Sequence, residues 1–339
     1  RGPREGTAMP RYGKRPKKDE KPTAMRMVAT VQLDVTPELR GELLATVEKC
    51  NEAANWLAAQ AFAAKCDDFD TLSKRHYAEL MERFGLSSQT ALLTAAKVVG
   101  AYKRDPYIQP TFRPHGAIPF DRRVYSLKGD ALSVRALSRR IKRIPLRMGK
   151  CQRELLAAGK WKEADLIVRK GAKKALVLAI TVEIPIPKVA APTSGTLGVD
   201  FGIENLAVDS DGNVYTGAKT DEVRDWYTAR RAALQKVGTR SAKKALRKLA
   251  GAEARFKSNE NHRIAKQIVE RAKGTGRRIA LEDLTGIRQR VTVRHGKQSH
   301  RHGSWAFRDL RTKIEYKAAR AGVEVVIVPA RGTSTACPK

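Results

Sequence analysis

The sequence predicts an α+β protein in two parts: a barrel of short strands with an inserted helical segment, then a unit of order β-β-β-α-β-α-β. Three observations lead there. Apolar residues alternate with period two near Met27 and again over 176–184, which is strand spacing. Between them an apolar stripe from Leu39 to Ala61 advances by threes and fours, the spacing of an amphipathic helix. The stretch 185–195 is rich in Pro and Ala with almost no charge, so it reads as a linker between the two parts.

Residues 1–24 are rich in Gly, Pro, Lys and Arg and poor in apolar side chains, the composition of a flexible basic arm. Met27, Ala29, Val31 and Leu33 then alternate as a first strand, and Thr36-Pro37 caps and opens a helix. Leu39, Leu43, Val47, Cys50, Ala54, Leu57 and Ala61 lie on one face of it. Further helices are expected over 71–84 and 88–104 with Gly85 as the break, so the helical insertion spans about 36–104. Beyond Asp105-Pro106 the spacing predicts strands at 107–112, 118–125, 131–134, 166–169 and 176–184, with Pro110 and Pro119 confining the first two to a sheet edge. Short strands in this number suit a barrel that also takes in the strand at Met27.

The second part begins at Thr196. Strands over 196–201, 205–209 and 214–216 form a meander whose second turn is Ser210-Asp211-Gly212-Asn213. Helices over 221–236 and 241–273 follow, the second with interruptions expected near Gly251 and Ser258-Asn259. Gly274 and Gly276 stop it before a strand at 278–284, and a helix at 305–321 and a strand at 323–328 complete the order. That succession is the one expected of an RNase H-like domain.

Charge narrows the function. The chain carries 67 Lys+Arg against 35 Asp+Glu, a formal +32 over 339 residues, and such an excess suits a long polyanion whose phosphates release counterions on contact. A small ribosomal-type or chromatin protein is also basic, but here apolar residues are organised into elements over most of the chain. No run approaches the roughly 20 apolar residues of a membrane helix, and 1–21 has no apolar core of a signal peptide. The expectation is an intracellular protein of the cytoplasm and nucleoid that does not engage a membrane. Cys50, Cys66, Cys151 and Cys337 are scattered rather than framework-spaced, which fits a reducing compartment. Cys50 and Cys66 fall in the helical stretch and read as small buried hydrophobes.

Two acids stand apart. Asp200 follows Leu197 and Val199, and Glu282 follows Ile279 and Leu281, each ending a short apolar strand and each on the opposite face from its apolar neighbours. Alone, Asp200 suits a turn and Glu282 a solvated strand end. Together, in the expected order, they suit a shared divalent metal for phosphodiester chemistry. Glu204, Asp209, Asp211 and Asp283 are the competing acids: Asp209 and Asp211 read as turn formers, and Asp283 points away from Glu282. His295, His300 and His302 lack the spacing of a zinc helix, and with Arg294, Lys297 and Arg301 they read as a basic loop.

The segments Gly198-Val199-Asp200-Phe201-Gly202-Ile203-Glu204-Asn205-Leu206-Ala207 and Ile279-Ala280-Leu281-Glu282-Asp283-Leu284, Tyr316-Lys317 in the last helix, and Thr333-Ser334-Thr335-Ala336-Cys337-Pro338 resemble the RuvC domain of the transposon-encoded TnpB nucleases and of their relatives, the miniature type V CRISPR effectors. The resemblance implies a basic arm at 1–24, a wedge-like barrel with a helical recognition insertion over 25–190, and an RNase H-like RuvC nuclease over 191–339. It implies a guide RNA and target double-stranded DNA as partners, recognition of a short flanking motif, and cleavage at one Mg²⁺ site with Asp200 and Glu282 as catalytic and metal-holding acids. A third acid and a zinc ribbon follow in the family, so Cys337 matches a first Zn²⁺ ligand only, and the native polypeptide is expected to continue past Lys339. Without the third acid, RNA-guided DNA binding with weak or no cutting is the alternative; a guide-free resolvase or transposase is another, and a CRISPR rather than a transposon setting stays open. Arg104, Arg122, Arg123, Arg139, Arg140, Lys142 and Arg143 in the first part, and Arg230, Arg231, Lys243, Lys244, Arg247 and Lys248 in the second, are the candidate nucleic-acid contacts. No protein partner is indicated.

Overall fold

The alternation at Met27 becomes β1 (Ala24–Leu33), which lies inside a seven-stranded sheet rather than at its edge. The computed structural model describes residues 24–169, 171, 175–189, 191–202, 205–215, 220–283 and 307–329, so the expected basic arm falls almost wholly outside the described residues. Two compact units meet in sequence between Pro185 and Ile186.

In the first unit β1 is joined by β2 (Ile118–Phe120), β3 (Tyr125–Lys128), β4 (Ala131–Arg135), β5 (Arg140–Arg147), β6 (Lys160–Val168) and β7 (Leu176–Pro185). Their order is β2-β6-β7-β1-β5-β4-β3, and every neighbouring pair is antiparallel. Ala29, Val31 and Leu33 of β1 and Leu178, Ile180 and Val182 of β7 are buried at alternate positions, which fixes their register because a one-residue slip would turn all of them to the other face. The sheet curls toward closure. Tyr125, buried at the start of β3, donates its hydroxyl hydrogen to the Lys162 carbonyl of β6 at 2.8 Å, tying one end of the strand order to the strand beside the other end.

Three helices fill the stretch between β1 and β2: α1 (Pro37–Ala63), α2 (Phe69–Phe84) and α3 (Ser88–Tyr102). Thr36 caps α1, Asp68 caps α2 by accepting from the Thr71 amide at 2.8 Å, and Gly85 ends α2 at φ 64°, a left-handed value glycine adopts freely. Leu43, Val47, Cys50, Ala54, Leu57 and Ala61 are all buried as the stripe predicts, with Leu39 packed at its margin. Burial pushes the Cys50 thiol up to about 12, so it stays a neutral packing group. Cys66 is only half-buried.

The structure corrects several strands. Residues 107–112 form a loop. Asn55 on α1 donates to the Phe112 carbonyl at 2.8 Å and accepts from the Phe112 amide at 2.6 Å. One turn earlier, fully buried Asn51 donates to the carbonyls of Pro114 at 3.1 Å and Gly116 at 2.9 Å. Lys97 on α3 donates to Asn51 Oδ1 at 2.5 Å and to the Ala117 carbonyl at 2.8 Å, and its ammonium stands 4.7 Å from the Phe112 ring centroid. Helix side chains thus satisfy the backbone groups that a sheet ladder would otherwise take. Burial lowers the Lys97 ammonium to about 8.

The expected strand 118–125 splits into β2 and β3 because Asp121 accepts from the amides of Arg123 at 2.9 Å and Val124 at 3.2 Å, closing a turn. The strand expected at 166–169 starts earlier, as β6. Two elements had no clear period: β5, and α4 (Lys150–Ala158). In β5 the buried residues are Ile141, Ile144 and Leu146, a step of three followed by a step of two. A bulge against Leu132 and Val134, with Arg143 at φ 58°, inserts the extra residue.

The second unit holds β8 (Thr196–Asp200), β9 (Ala207–Asp209), β10 (Val214–Tyr215), α5 (Thr220–Val237), α6 (Arg240–Gly274), β11 (Arg278–Asp283), α7 (Phe307–Ala321) and β12 (Val325–Pro329). The strand order is β10-β9-β8-β11-β12, antiparallel through the meander and parallel from β8 onward. Leu197, Val199, Ile279 and Leu281 form one core with Ile264 and Ile268 of α6 and Leu310 and Ile314 of α7. The expected interruptions at Gly251 and Ser258-Asn259 do not occur; the surrounding Ala, Lys, Arg and Leu favour helix enough to carry one glycine, which costs only about 1 kcal/mol relative to alanine. No helix among the described residues is long and apolar enough to cross a membrane.

Replacing Asn51 by alanine leaves two loop carbonyls and the Lys97 ammonium short of a partner. Asn51→Ala is expected to lower unfolding free energy by about 2 kcal/mol in urea titrations, with little loss of far-ultraviolet circular dichroism.

Candidate metal and nucleic-acid site

The parallel register of β8 and β11 pairs Thr196 with Arg278, Leu197 with Ile279, Gly198 with Ala280 and Val199 with Leu281. Each pair is 82 positions apart, as 281 less 199; carried one residue further, the same offset would bring Glu282 level with Asp200. Leu197, Val199, Ile279 and Leu281 are buried, while Asp200 is exposed and Glu282 half-buried, so the two carboxylates share the face opposite the helices. Gly198 and Ala280, one pleat earlier on that face, add almost no bulk beneath them.

Neighbouring residues fix both strand ends. Phe201, next after Asp200, is buried in the core with its ring centroid 6.4 Å from that of Phe307 on α7. The chain then turns sharply: the Gly202 amide donates to the Asn205 carbonyl at 3.1 Å, and a Cβ on residue 202 would lie 2.7 Å from that oxygen. At the end of β11, Arg311 of α7 donates to Asp283 at 2.9 Å and to Glu315 at 2.9 Å, so Asp283 is tied to α7.

The other acids of the meander have structural work. Asp209 is buried and would be raised by that burial, yet bonds from the Tyr215 hydroxyl at 2.7 Å and from Asn213 outweigh it and keep its pKa below the ordinary value. Asp211 accepts from Arg277 at 2.6 Å and Arg271 at 2.8 Å, which hold its carboxyl well below the usual range. The turn between β9 and β10 is thereby bolted to the end of α6 and the approach to β11.

Among the described residues no group of three or more His, Cys, Asp or Glu side chains converges on one point. Asp200 and Glu282 make a pair of hard oxygen donors, suited to Mg²⁺ with other positions left for water or phosphate oxygens. Glu204, His295, His300, His302 and Cys337 lie outside the described residues.

The basic candidates divide by what they touch. Arg104, Arg122, Lys142 and Arg143 are exposed on the first unit. Arg123 pairs with Asp121 at 3.0 Å, Arg139 with Glu42 at 3.0 Å, and Arg140 donates to the Arg123 carbonyl at 2.7 Å. In the second unit Arg230 is exposed, whereas Arg231 bonds to Glu253 across the α5–α6 pair. Lys243, Lys244, Arg247 and Lys248 are exposed on α6, and Arg240 and Arg255 complete a stripe. At 100° per residue these six side chains fall on one face. Phe256 and Glu253 lie on the other, against Tyr227 and Arg231 of α5. Glu253 is the sole acid between positions 230 and 258, and Lys257 holds it as well, at 2.8 Å.

Residues 179–285 match the family described as "Probable transposase", OrfB_IS605, and residues 307–339 match "Cas12f1-like, TNB domain". A TnpB-like protein of Methanocaldococcus jannaschii is 26% identical over 231 residues, 63% of this chain and 80% of that one. The chain is similar to TnpB-like and Cas12f1 proteins. A CRISPR-associated endodeoxyribonuclease Cas12f1 of Syntrophomonas palmitatica is 26% identical over 193 residues, 52% of this chain but only 37% of the relative. A cryo-EM structure of a Cas12f1–sgRNA–target DNA complex aligns over 93% of this chain and 91% of the Cas12f1 chain with a TM-score of 0.56 at 13% identity, a likeness of fold.

The Asp211 ion pairs give a pH signature. Its folded pKa is depressed, so its contribution is complete above the unfolded value of about 3.9 and is lost as pH falls through the folded one. Asp211→Asn is expected to lower the melting temperature at pH 7, and the gap from the parent should begin to close below about pH 4.

Proposed function

We propose that the chain is an RNA-guided DNA endonuclease cutting at one RuvC site, with Asp200 and Glu282 holding Mg²⁺. The observation that supports this reading is the parallel register pairing Val199 with Leu281, the residues that immediately precede the two acids. The strand order β10-β9-β8-β11-β12 supports an RNase H-like unit over 191–339, following a wedge-like barrel with its helical insertion over 25–190 and a basic arm at 1–24. A bound Mg²⁺ would neutralise charge on the scissile phosphate and lower the pKa of a coordinated water. The chain's residues orient that site: Phe201 seats the end of β8, and Arg311 holds Asp283 so that the neighbouring Glu282 faces the opposite side of β11.

Sequence specificity comes, in this reading, from pairing between a guide RNA and one strand of target double-stranded DNA, with side chains reading a short flanking motif. The α6 stripe from Arg240 to Arg255 binds phosphates. By resemblance Cys337 would be the first ligand of a zinc ribbon, which needs three more.

A second reading is an RNA-guided DNA-binding protein that does not cut. Purified with its co-purifying RNA and given a matched duplex and Mg²⁺, the protein is expected to cleave. Asp200→Ala and Glu282→Ala should each abolish cleavage while DNA binding persists; binding without cutting by the parent protein would decide for the second reading. Lys243→Ala with Arg247→Ala should flatten the slope of log affinity against log salt by about two, measured by fluorescence anisotropy on labelled nucleic acid.

A further inference from the structure

The loop between α3 and β2 is pinned at its base and apolar at its tip. Its base is held by Asn55, Asn51 and Lys97, as described, and by His115 Nε2 at 2.7 Å from Glu48. Three prolines, Pro106, Pro110 and Pro114, restrict its backbone further. At the tip the Tyr107 amide donates to Asp105 Oδ1 at 3.0 Å, and two adjacent large side chains face solvent: Tyr107 is 53% exposed and Ile108 56%. Single exposed apolar residues are ordinary. An adjacent aromatic and β-branched pair on a loop with fixed backbone is not, because burying either residue in the unit's own core would have been favourable.

Lys103 and Arg104 precede this tip in the chain and Arg113 follows it at the pinned base; all three are exposed, against one acid, Asp105, which is used in the turn. Cations that take phosphates around an apolar pair that takes bases are the two halves of a site for unstacked nucleotides. We infer that Tyr107 and Ile108 form a tip that stacks on bases where target DNA departs from its paired state, with Lys103, Arg104 and Arg113 on the adjoining phosphates. This inference rests on the reading that the protein opens duplex DNA. It selects DNA over RNA because only the duplex target must be unstacked for pairing with a guide.

The test is binding rather than cleavage. Full-length protein with its co-purified RNA is titrated with three fluorescein-labelled probes: a paired duplex, the same duplex carrying a run of mismatches, and single-stranded RNA of the mismatched sequence. The parent protein is expected to prefer the mismatched duplex. Tyr107→Ala with Ile108→Ala should weaken that complex about tenfold and leave the paired duplex unchanged, while Tyr107→Trp retains full affinity and an unaltered melting temperature shows the loop still folded. Equal losses on paired and mismatched DNA, no loss on either, or a loss confined to RNA would each overturn the inference. A parent protein that binds no DNA probe fails the endonuclease reading as well; one that cuts matched DNA without preferring the mismatched probe fails only the inference about the tip.

Discussion

A constant offset of 82 residues between two parallel strands governs the second unit. β8 and β11 are far apart in sequence, so nothing local sets their register; it is set by what each strand buries and by clamps at their start. Leu197, Val199, Ile279 and Leu281 fill the core, and a slip by one residue would send them to the carboxylate face and Glu282 into the apolar one. At the opening of the strands the Thr193 amide donates to the Gly276 carbonyl at 2.9 Å, the Arg278 amide to the Gly195 carbonyl at 3.2 Å, and Arg278 Nε to Thr196 Oγ1 at 2.8 Å. Asp211 adds a second clamp from the meander through Arg271 and Arg277. The carboxylate pair is therefore a consequence of packing and ion pairing at places that do no chemistry.

The first unit solves a different problem. Its curled sheet and three-helix insertion share one apolar core, and the chain between them must cross from α3 to β2 without a sheet partner. Helix asparagines and one lysine meet the need by bonding to successive backbone groups of the loop. Such side-chain bonding satisfies backbone groups that have no sheet partner.

What could be read from sequence follows the range of the signal. The α1 stripe, the cap at Thr36 and the stop at Gly85 are local, and each stood in the sequence as it stands in the structure. The succession of strands along the second unit was likewise legible, because each strand is short, apolar and bounded by turn residues. β5 was not, since the bulge at Lys142-Arg143 breaks the period of two that announces a strand. The loop at 107–112 misled for the opposite reason: its apolar and β-branched residues signal a strand, and only Asn51 and Asn55, more than fifty positions away, decide otherwise. Of the candidate site, Asp200 and Glu282 were found as strand ends, but their exact pairing needs the register. The basic residues were found as a list, and whether an arginine is engaged, like Arg139 and Arg231, or presented, like Arg247, depends on acids brought near by the fold.

α6 runs as one helix through Gly251, about 50 Å from Arg240 to Gly274 at 1.5 Å per residue. Its last third is embedded in the core through Ile264, Ile268 and Ala272 and ends with Arg271 on Asp211, while its first half carries the cationic stripe away from that core. No break in the helix separates the two parts. The cationic stripe and the turn that Asp209 and Asp211 brace therefore belong to one continuous rod, anchored beside the strand that ends in Asp200.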